Sequence, residues 1–130
     1  MKTEELYELM EEGNLGYACV YFEDDHGKHT DFIFPMAAEN IANFIGKHAY
    51  EADKIVMTDC CDRLICESVY GGFLMNCPDQ KLCREIISHL APIQMGQAEP
   101  KEFPVATREE MEALWRTEDE AVMQAELRML

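Results

Sequence analysis

Long apolar runs are missing from this sequence, and so is a basic start followed by an apolar stretch. Apolar runs are short, as at residues 32–34 and 73–75, whereas a membrane-spanning helix needs about 20 apolar residues. The N-terminus reads MKTEE, which lacks the features of a signal peptide. We therefore expect a cytoplasmic protein without a membrane span.

Basic residues are scarce. The chain has 11 lysines and arginines against 26 aspartates and glutamates, which gives a net charge of −15. Phosphate backbones and anionic lipid repel such a chain, so direct binding to nucleic acid or to a membrane surface is disfavoured. The acidic excess is spread along the sequence. It favours solubility, a basic protein partner, or imitation of DNA.

Signatures of common enzyme classes are also absent. The sequence contains no Gly-x-Gly-x-x-Gly, no phosphate-binding loop, no Gly-x-Ser-x-Gly and no His-Glu-x-x-His. We therefore favour a non-catalytic protein over an enzyme, and we predict no cofactor.

One hydrophobic core fits the length and the composition. The chain has 130 residues, of which 48% are hydrophobic, and that is enough for a single core. We divide it into an α+β domain over residues 1–105 and a C-terminal amphipathic helix over residues 106–130. This helix packs on the domain or on a partner.

Five short segments have the alternation and the aromatic or β-branched content of strands. A polar turn with Gly27 joins the first two as a hairpin, and tight turns join the last three as an antiparallel meander. We expect one five-stranded antiparallel sheet. The predicted strands are residues 16–23, 29–34, 54–58, 63–69 and 73–76.

Apolar residues at helical spacing predict three to four helices, in the order αββαβββα(α). The first covers residues 3–12 and the second residues 36–51. The third begins at Pro78, a residue suited to the first helical turn, and Pro92 is expected to end it.

The C-terminal part begins with an irregular stretch, residues 91–105, that carries three prolines. Thr107 and Glu110 then form a capping box that opens the terminal helix. Residues 117–120 repeat the capping pattern, which predicts a kink or break near Thr117.

Six cysteines are present, and without an export signal we expect them to be free thiols. Adjacent cysteines splay their side chains apart, and the spacings match no standard zinc finger or ribbon, so we predict no structural metal. The cysteines are Cys19, Cys60, Cys61, Cys66, Cys77 and Cys83.

Cys77 is the one candidate for thiol chemistry. It is predicted to cap the helix that starts at Pro78, where free amide groups and the helix dipole stabilise a thiolate. Cys83 lies six residues after Cys77, whereas a Cys-x-x-Cys motif requires three, and no histidine is adjacent to Cys77 in the sequence. The alternative is a partly buried, unreactive thiol.

Histidines and aspartates cluster at the first hairpin. His26, His29 and Asp31, together with Asp24 and Asp25, are the candidates for a divalent metal site or for acid–base chemistry. The alternative is a solvated turn, because turns attract these residue types for reasons of backbone geometry.

The terminal helix carries the candidate interaction residues. Leu114, Trp115, Val122 and Met129 lie on one side of it, and Trp115 is the only tryptophan of the chain. Such a stripe packs on its own sheet, or it docks onto a partner or onto a second copy of the chain.

Two resemblances can be stated. The order of elements resembles the roadblock/profilin-like arrangement, whose members serve largely as dimerising or scaffolding modules. The stretches GGFLMNCPDQ at residues 71–80 and HLAPIQMG at residues 89–96 look like small uncharacterised acidic proteins of gut bacteria and their mobile elements. Neither resemblance implies an activity or a site residue for this chain.

Three hypotheses about function follow from these observations. The first is a small acidic, non-catalytic interaction or regulatory module that self-associates as a homodimer. The second is a decoy that imitates DNA and binds a basic DNA-binding protein. The third is a thiol-dependent redox protein that uses Cys77.

Overall fold

The computed structural model describes residue 6, residues 16–70 and residues 72–128, except for the side chains of residues 118, 119, 121, 122, 126 and 128. Within these ranges the α+β class is confirmed, and no helix is long and apolar enough to cross a membrane. The elements are β1 (Tyr17–Asp24), β2 (His29–Pro35), α1 (Ala38–His48), β3 (Ala52–Thr58), β4 (Leu64–Val69), β5 (Gly72–Met75), α2 (Gln80–Gln94), β6 (Ala106–Thr107) and α3 (Arg108–Arg128).

The strands form one antiparallel sheet in the order β5-β4-β3-β1-β2-β6. The predicted hairpin and meander are both present, and β3 joins them by pairing with β1. The prediction of five strands is wrong, because β6 adds a sixth strand along β2. Two residues are too few to show an alternating pattern, so only the pairing with β2 identifies this strand.

The inner face of the sheet carries the main core. Alternation along the strands directs Val20, Phe34, Ile55 and Met57 to this face, where all four are buried. Two amphipathic helices cover them. The buried apolar side chains that these helices contribute are Ile41, Phe44 and Ile45 from α1 and Ile86 and Leu90 from α2.

The two covering helices approach each other closely at Gly46. A Cβ atom added to Gly46 would lie 2.6 Å from Cγ2 of Ile93 in α2, so a larger residue would force one of them to move. Glycine inside a helix costs about 1 kcal/mol relative to alanine. The close contact with Ile93 explains why this helix contains it.

Pro92 does not end the third helix, as the sequence predicted, but lies inside α2, which continues to Gln94. Proline removes one backbone donor from the helix. The next residue, Ile93, packs over Gly46, and the Met95 N–H still donates to the Ala91 carbonyl at 3.0 Å. Packing and this bond maintain the last turn beyond the proline.

Residues 95–105 contain no helix or strand, as predicted. We call residues 99–105 the strap, because this segment lies across α1. The backbone N–H of Lys101 donates to Oδ1 of the buried Asn43 at 3.0 Å. The Phe103 ring packs 5.6 Å from the ring of Phe34 and 6.0 Å from that of Phe44. The strap therefore closes one side of the main core.

The terminal helix begins at the predicted capping box. The Glu110 N–H donates to Oγ1 of Thr107, and the Thr107 N–H donates to Oε1 of Glu110, each at 3.1 Å. The predicted break near Thr117 is wrong, because α3 runs as one helix to Arg128. The Thr117 hydroxyl donates to the Ala113 carbonyl at 3.0 Å within the helix and caps nothing.

Candidate interaction surface

The first part of α3, residues 108–115, packs on the outer face of the sheet, and we call it the proximal half. Met111 is fully buried there against Ile33 of β2 and Leu6. Trp115 is partly buried, with its ring 6.5 Å from that of Tyr17. Leu114 and Trp115 were predicted as interaction residues, and Trp115 packs on its own domain.

The rest of α3, residues 116–128, differs from the proximal half, and we call it the distal half. Every side chain described in it is exposed to solvent. Two of these are large and apolar, Met123 at 61% and Leu127 at 65% exposure. The predicted interaction residues Met129 and, for its side chain, Val122 lie outside the described part of the chain.

Met123 and Leu127 were missed by the sequence analysis. They are four residues apart and so are neighbours on one flank of the helix. The sequence contains this spacing, but the stripe through Trp115 and Val122 holds more large apolar residues and therefore gives the clearer pattern. Met123 and Leu127 lie on a different flank of α3 from Trp115 and Val122.

Among the described residues, no helix covers the outer face of the sheet over β3, β4 and β5. Residues paired across neighbouring strands lie on the same face. Val56, Glu67 and Leu74 therefore form one row across it, and Lys54 and Val69 form a second. Leu74 is 61% exposed and Val69 is 42% exposed. We call these five residues the open face.

A cleft of about 560 Å³ separates the β1–β2 hairpin from the start of α3. On its hairpin side the His29 ring stacks on Tyr21 with centroids 4.3 Å apart, and its Nε2 lies 2.9 Å from Oδ1 of Asp31. On its helix side Nε of Arg108 donates to Oε1 of Glu112 at 3.1 Å. These polar groups pair with one another across short distances, which is typical of a solvated surface.

The two histidines named as candidate metal ligands contact different carboxylates. Nε2 of His26 lies 3.6 Å from Oδ1 of Asp25 at the turn, while His29 contacts Asp31 on β2. The carboxylate of Asp24 accepts the backbone N–H of His26 at 2.9 Å, which is a structural role in the turn. Among the described residues no three His, Cys, Asp or Glu side chains are placed to hold a metal ion.

Cys19 is partly buried on the outer face, near the proximal half of α3. Burial raises the pKa of its thiol; Arg108 lowers this pKa, and Asp62 raises it further. Cys19 pairs with Ile33, and His29 lies four residues away from Ile33 along β2, about 13 Å at the rise of a strand. A protonated thiol without a nearby base is not an activated nucleophile.

Cys77 does not cap the third helix, so that prediction is wrong. The N-cap is Asp79, whose carboxylate accepts the backbone N–H groups of Lys81 at 3.0 Å and Leu82 at 3.2 Å. Aspartate accepts these bonds directly and is among the strongest N-cap residues. Cys77 instead packs, partly buried, against the main core. Cys77 is therefore not the N-cap residue at which free amide groups and the helix dipole would stabilise a thiolate.

All six cysteines are unpaired, and they occupy different environments. Cys60 and Cys61 are exposed in the turn between β3 and β4. Cys66 is buried on the inner face, and burial, followed by the effects of Cys77 and Glu67, raises the pKa of its thiol to about 12. A thiol with this pKa is inert at neutral pH.

Comparison with known proteins gives no relative: no family model, no curated protein and no solved structure matches this chain. The resemblances stated from the sequence therefore remain predictions.

Proposed function

We propose that this chain is a small non-catalytic interaction module that associates with a second copy of itself through α3. The observation that carries the proposal is the distal half of α3. This segment continues the helix beyond its contacts with the sheet and exposes Met123 and Leu127. Apolar side chains that remain exposed on a regular helix are typical of a surface that packs on a partner.

A non-catalytic role is supported by the state of the thiols and of the cleft. The pKa of Cys19 is raised rather than lowered, and Cys77 is not at a helix N-terminus. His29, the histidine of the cleft, is paired with Asp31 and stacked on Tyr21. Neither thiol has the neighbours that activate a nucleophile, and the residues that line the cleft include no serine or cysteine for His29 to activate.

The acidic decoy has less support. A decoy presents rows of carboxylates at the spacing of phosphates, whereas two of the described acids are paired with arginines. Oδ2 of Asp59 lies 3.6 Å from Nε of Arg63, and Glu112 pairs with Arg108. Mixed charges of this kind do not imitate the uniform field of a nucleic acid.

The net charge shapes the expected association. Each copy carries −15, so two copies repel each other, and the contact must be apolar at its centre with acidic residues at the rim. Salt screens repulsion between exposed charges beyond about 8 Å at physiological ionic strength. Association should therefore tighten as salt rises, which is the opposite of a complex held by ion pairs.

A double variant, Met123→Glu with Leu127→Glu, tests the proposal. Burial of a methionine or leucine contributes about 1.5–3 kcal/mol, and each 1.4 kcal/mol is tenfold in affinity, so we expect dimerisation to weaken by about 100-fold or more. Sedimentation equilibrium at low and high salt measures the dissociation constant. The matched control is Ile87→Glu with Met95→Glu, which adds the same charge at two exposed apolar positions, one in α2 and one at its C-cap.

Two results contradict the proposal. One is a wild-type chain that is monomeric at every concentration and at both salts. The other is a dimer that the α3 variant and the α2 control weaken equally, because that result assigns the effect to charge alone.

A further inference from the structure

Two surfaces of the described chain are apolar and uncovered, and they differ in kind. One is the flank of the distal half of α3 that carries Met123 and Leu127, and the other is the open face of the sheet, with Val69 and Leu74 exposed. The inner face of the same sheet shows what such a surface accepts, because α1 and α2 pack on it. A helix is therefore the natural cover for the open face as well.

The lengths of the two surfaces match. The distal half of α3, residues 116–128, rises about 20 Å at 1.5 Å per residue. The central strand of the open face, β4, has six residues, which extend about 20 Å at 3.3 Å per residue. A helix of this length covers the strand from end to end.

The charges also permit the contact. The open face carries one base, Lys54, and one acid, Glu67, so its net charge is zero in a chain of net charge −15. In sequence the distal half carries two bases, Arg116 and Arg128, and four acids, at positions 118, 119, 120 and 126, so its net charge is −2. The neutral open face therefore does not add to the repulsion between two acidic copies, and Lys54 can pair with an acid of the helix.

The area decides how many such contacts a dimer needs. The open face spans three strands, roughly 14 Å by 20 Å, or about 300 Å² on each copy for a single helix-on-sheet contact. An area of that size is typical of crystal packing, whereas two such contacts bury about 600 Å² per copy, which reaches the lower limit of specific interfaces. Two-fold symmetry gives both contacts at once.

We infer that the distal half of α3 packs on the open face of a second copy, and that the α3 helix of that copy packs on the open face of the first. The inference rests on the self-association proposed above and names the surface that receives the helix. It gives a closed dimer in which both uncovered surfaces are buried, so growth stops at two copies.

Photo-crosslinking from the helix tests this arrangement in the full-length chain. Leu127 is replaced by p-benzoylphenylalanine, and a mixture of ¹⁴N-labelled and ¹⁵N-labelled chains is irradiated, so that mass spectrometry separates crosslinks between copies from those within one. We expect crosslinks between copies that map to residues 54–58 and 64–75. The same probe at Met95, which is exposed at the C-cap of α2, is the control and should give no crosslink between copies.

The outcomes separate this inference from the proposed function. Light scattering on the same sample first establishes whether the chain is a dimer, and a monomer overturns both. In a dimer, crosslinks from Leu127 to the α3 helix of the other copy indicate helix–helix pairing and overturn the inference alone. The absence of any crosslink between copies in a dimer overturns it as well.

A second pair of variants checks the receiving surface directly. Val69→Glu with Leu74→Glu places charge on the open face, at positions already partly exposed, and should weaken dimerisation by about as much as the α3 double variant. Tyr50→Glu, at a side chain that is 89% exposed after α1, is the control and should leave the dimer unchanged. An open-face variant with wild-type dimerisation contradicts the inference.

Discussion

The inner face of the sheet meets two helices and the strap, whereas in the described part of the chain the outer face meets only Leu6 and the proximal half of α3, near β2 and β6. Residues of the same strands contribute to both faces. Val20 and Met57 point inward and are fully buried, while Val56 points outward and is only partly buried. As far as the described residues show, the sheet thus has a completed core on one face and only a partial core on the other. The incomplete face is where we place the partner.

Removal of a large inner side chain is the strongest test of this comparison. Phe44 is 1% exposed, and its ring contacts Phe22, Phe34 and Phe103. Phe44→Ala should lower the free energy of unfolding by about 3–5 kcal/mol. Urea unfolding of dilute protein, where the chain is monomeric, measures the loss.

The matched variant on the outer face is Leu74→Ala. It removes a side chain that is 61% exposed, and surface changes of this kind usually stay within about 0.5 kcal/mol. Equal losses for the two variants would mean that the outer face is as well packed as the inner one.

The sequence predicted the inner face better than the outer one, for a physical reason. Strands buried on one face alternate, and β1 to β5 all lie within about two residues of their predicted bounds. Two-residue β6 has no pattern of its own and depends on β2. Whether the outer side chains of β3, β4 and β5 are exposed depends on which other elements pack on them. The sequence of a single strand does not contain that information.

The candidate site shows the same division. The capping box at Thr107 was predicted because its geometry is local. At the third helix two local signals competed, and Asp79 caps it rather than Cys77. That Trp115 packs on Tyr17 while Leu127 remains exposed depends on where α3 leaves the sheet. This point is set by tertiary structure, so periodicity alone could not locate it.

The close approach of α1 and α2 gives the next largest expected effect. Gly46→Ala normally stabilises a helix by about 1 kcal/mol, but here the new Cβ would lie 2.6 Å from Cγ2 of Ile93. We expect a loss of about 1–3 kcal/mol, because a packed, β-branched side chain cannot move aside easily. Urea titrations of the wild type and of Gly46→Ala measure the two free energies of unfolding.

The control for this prediction is the Ile93→Ala background. There the space beside residue 46 is free, so Gly46→Ala should become neutral or stabilising. If Gly46→Ala stabilises the chain with Ile93 intact, the two helices are farther apart than described, and the inner face is less tightly closed.

The smallest expected effect concerns the buried thiol of the inner face. The pKa of Cys66 in the folded chain is about 12, whereas an unfolded cysteine titrates near its ordinary value. As pH rises above that ordinary value, the unfolded state loses the proton and the folded state keeps it. The stabilising contribution of this thiol is therefore complete below the ordinary pKa. It falls with rising pH up to about 12, by at most about 1.4 kcal/mol per pH unit.

The variant Cys66→Ala tests this pH dependence in the presence of reductant. Between a pH just below the ordinary pKa and a pH one unit above it, the variant should lose about 1 kcal/mol less unfolding free energy than wild type. Lysines and tyrosines also titrate at alkaline pH, but they contribute equally to both chains and cancel in the comparison. Cys60→Ala, at an exposed thiol of the β3–β4 turn, is the control and should keep the wild-type pH dependence. Identical pH dependence in wild type and in Cys66→Ala would place this thiol in contact with water, and the inner face would then be open near β4.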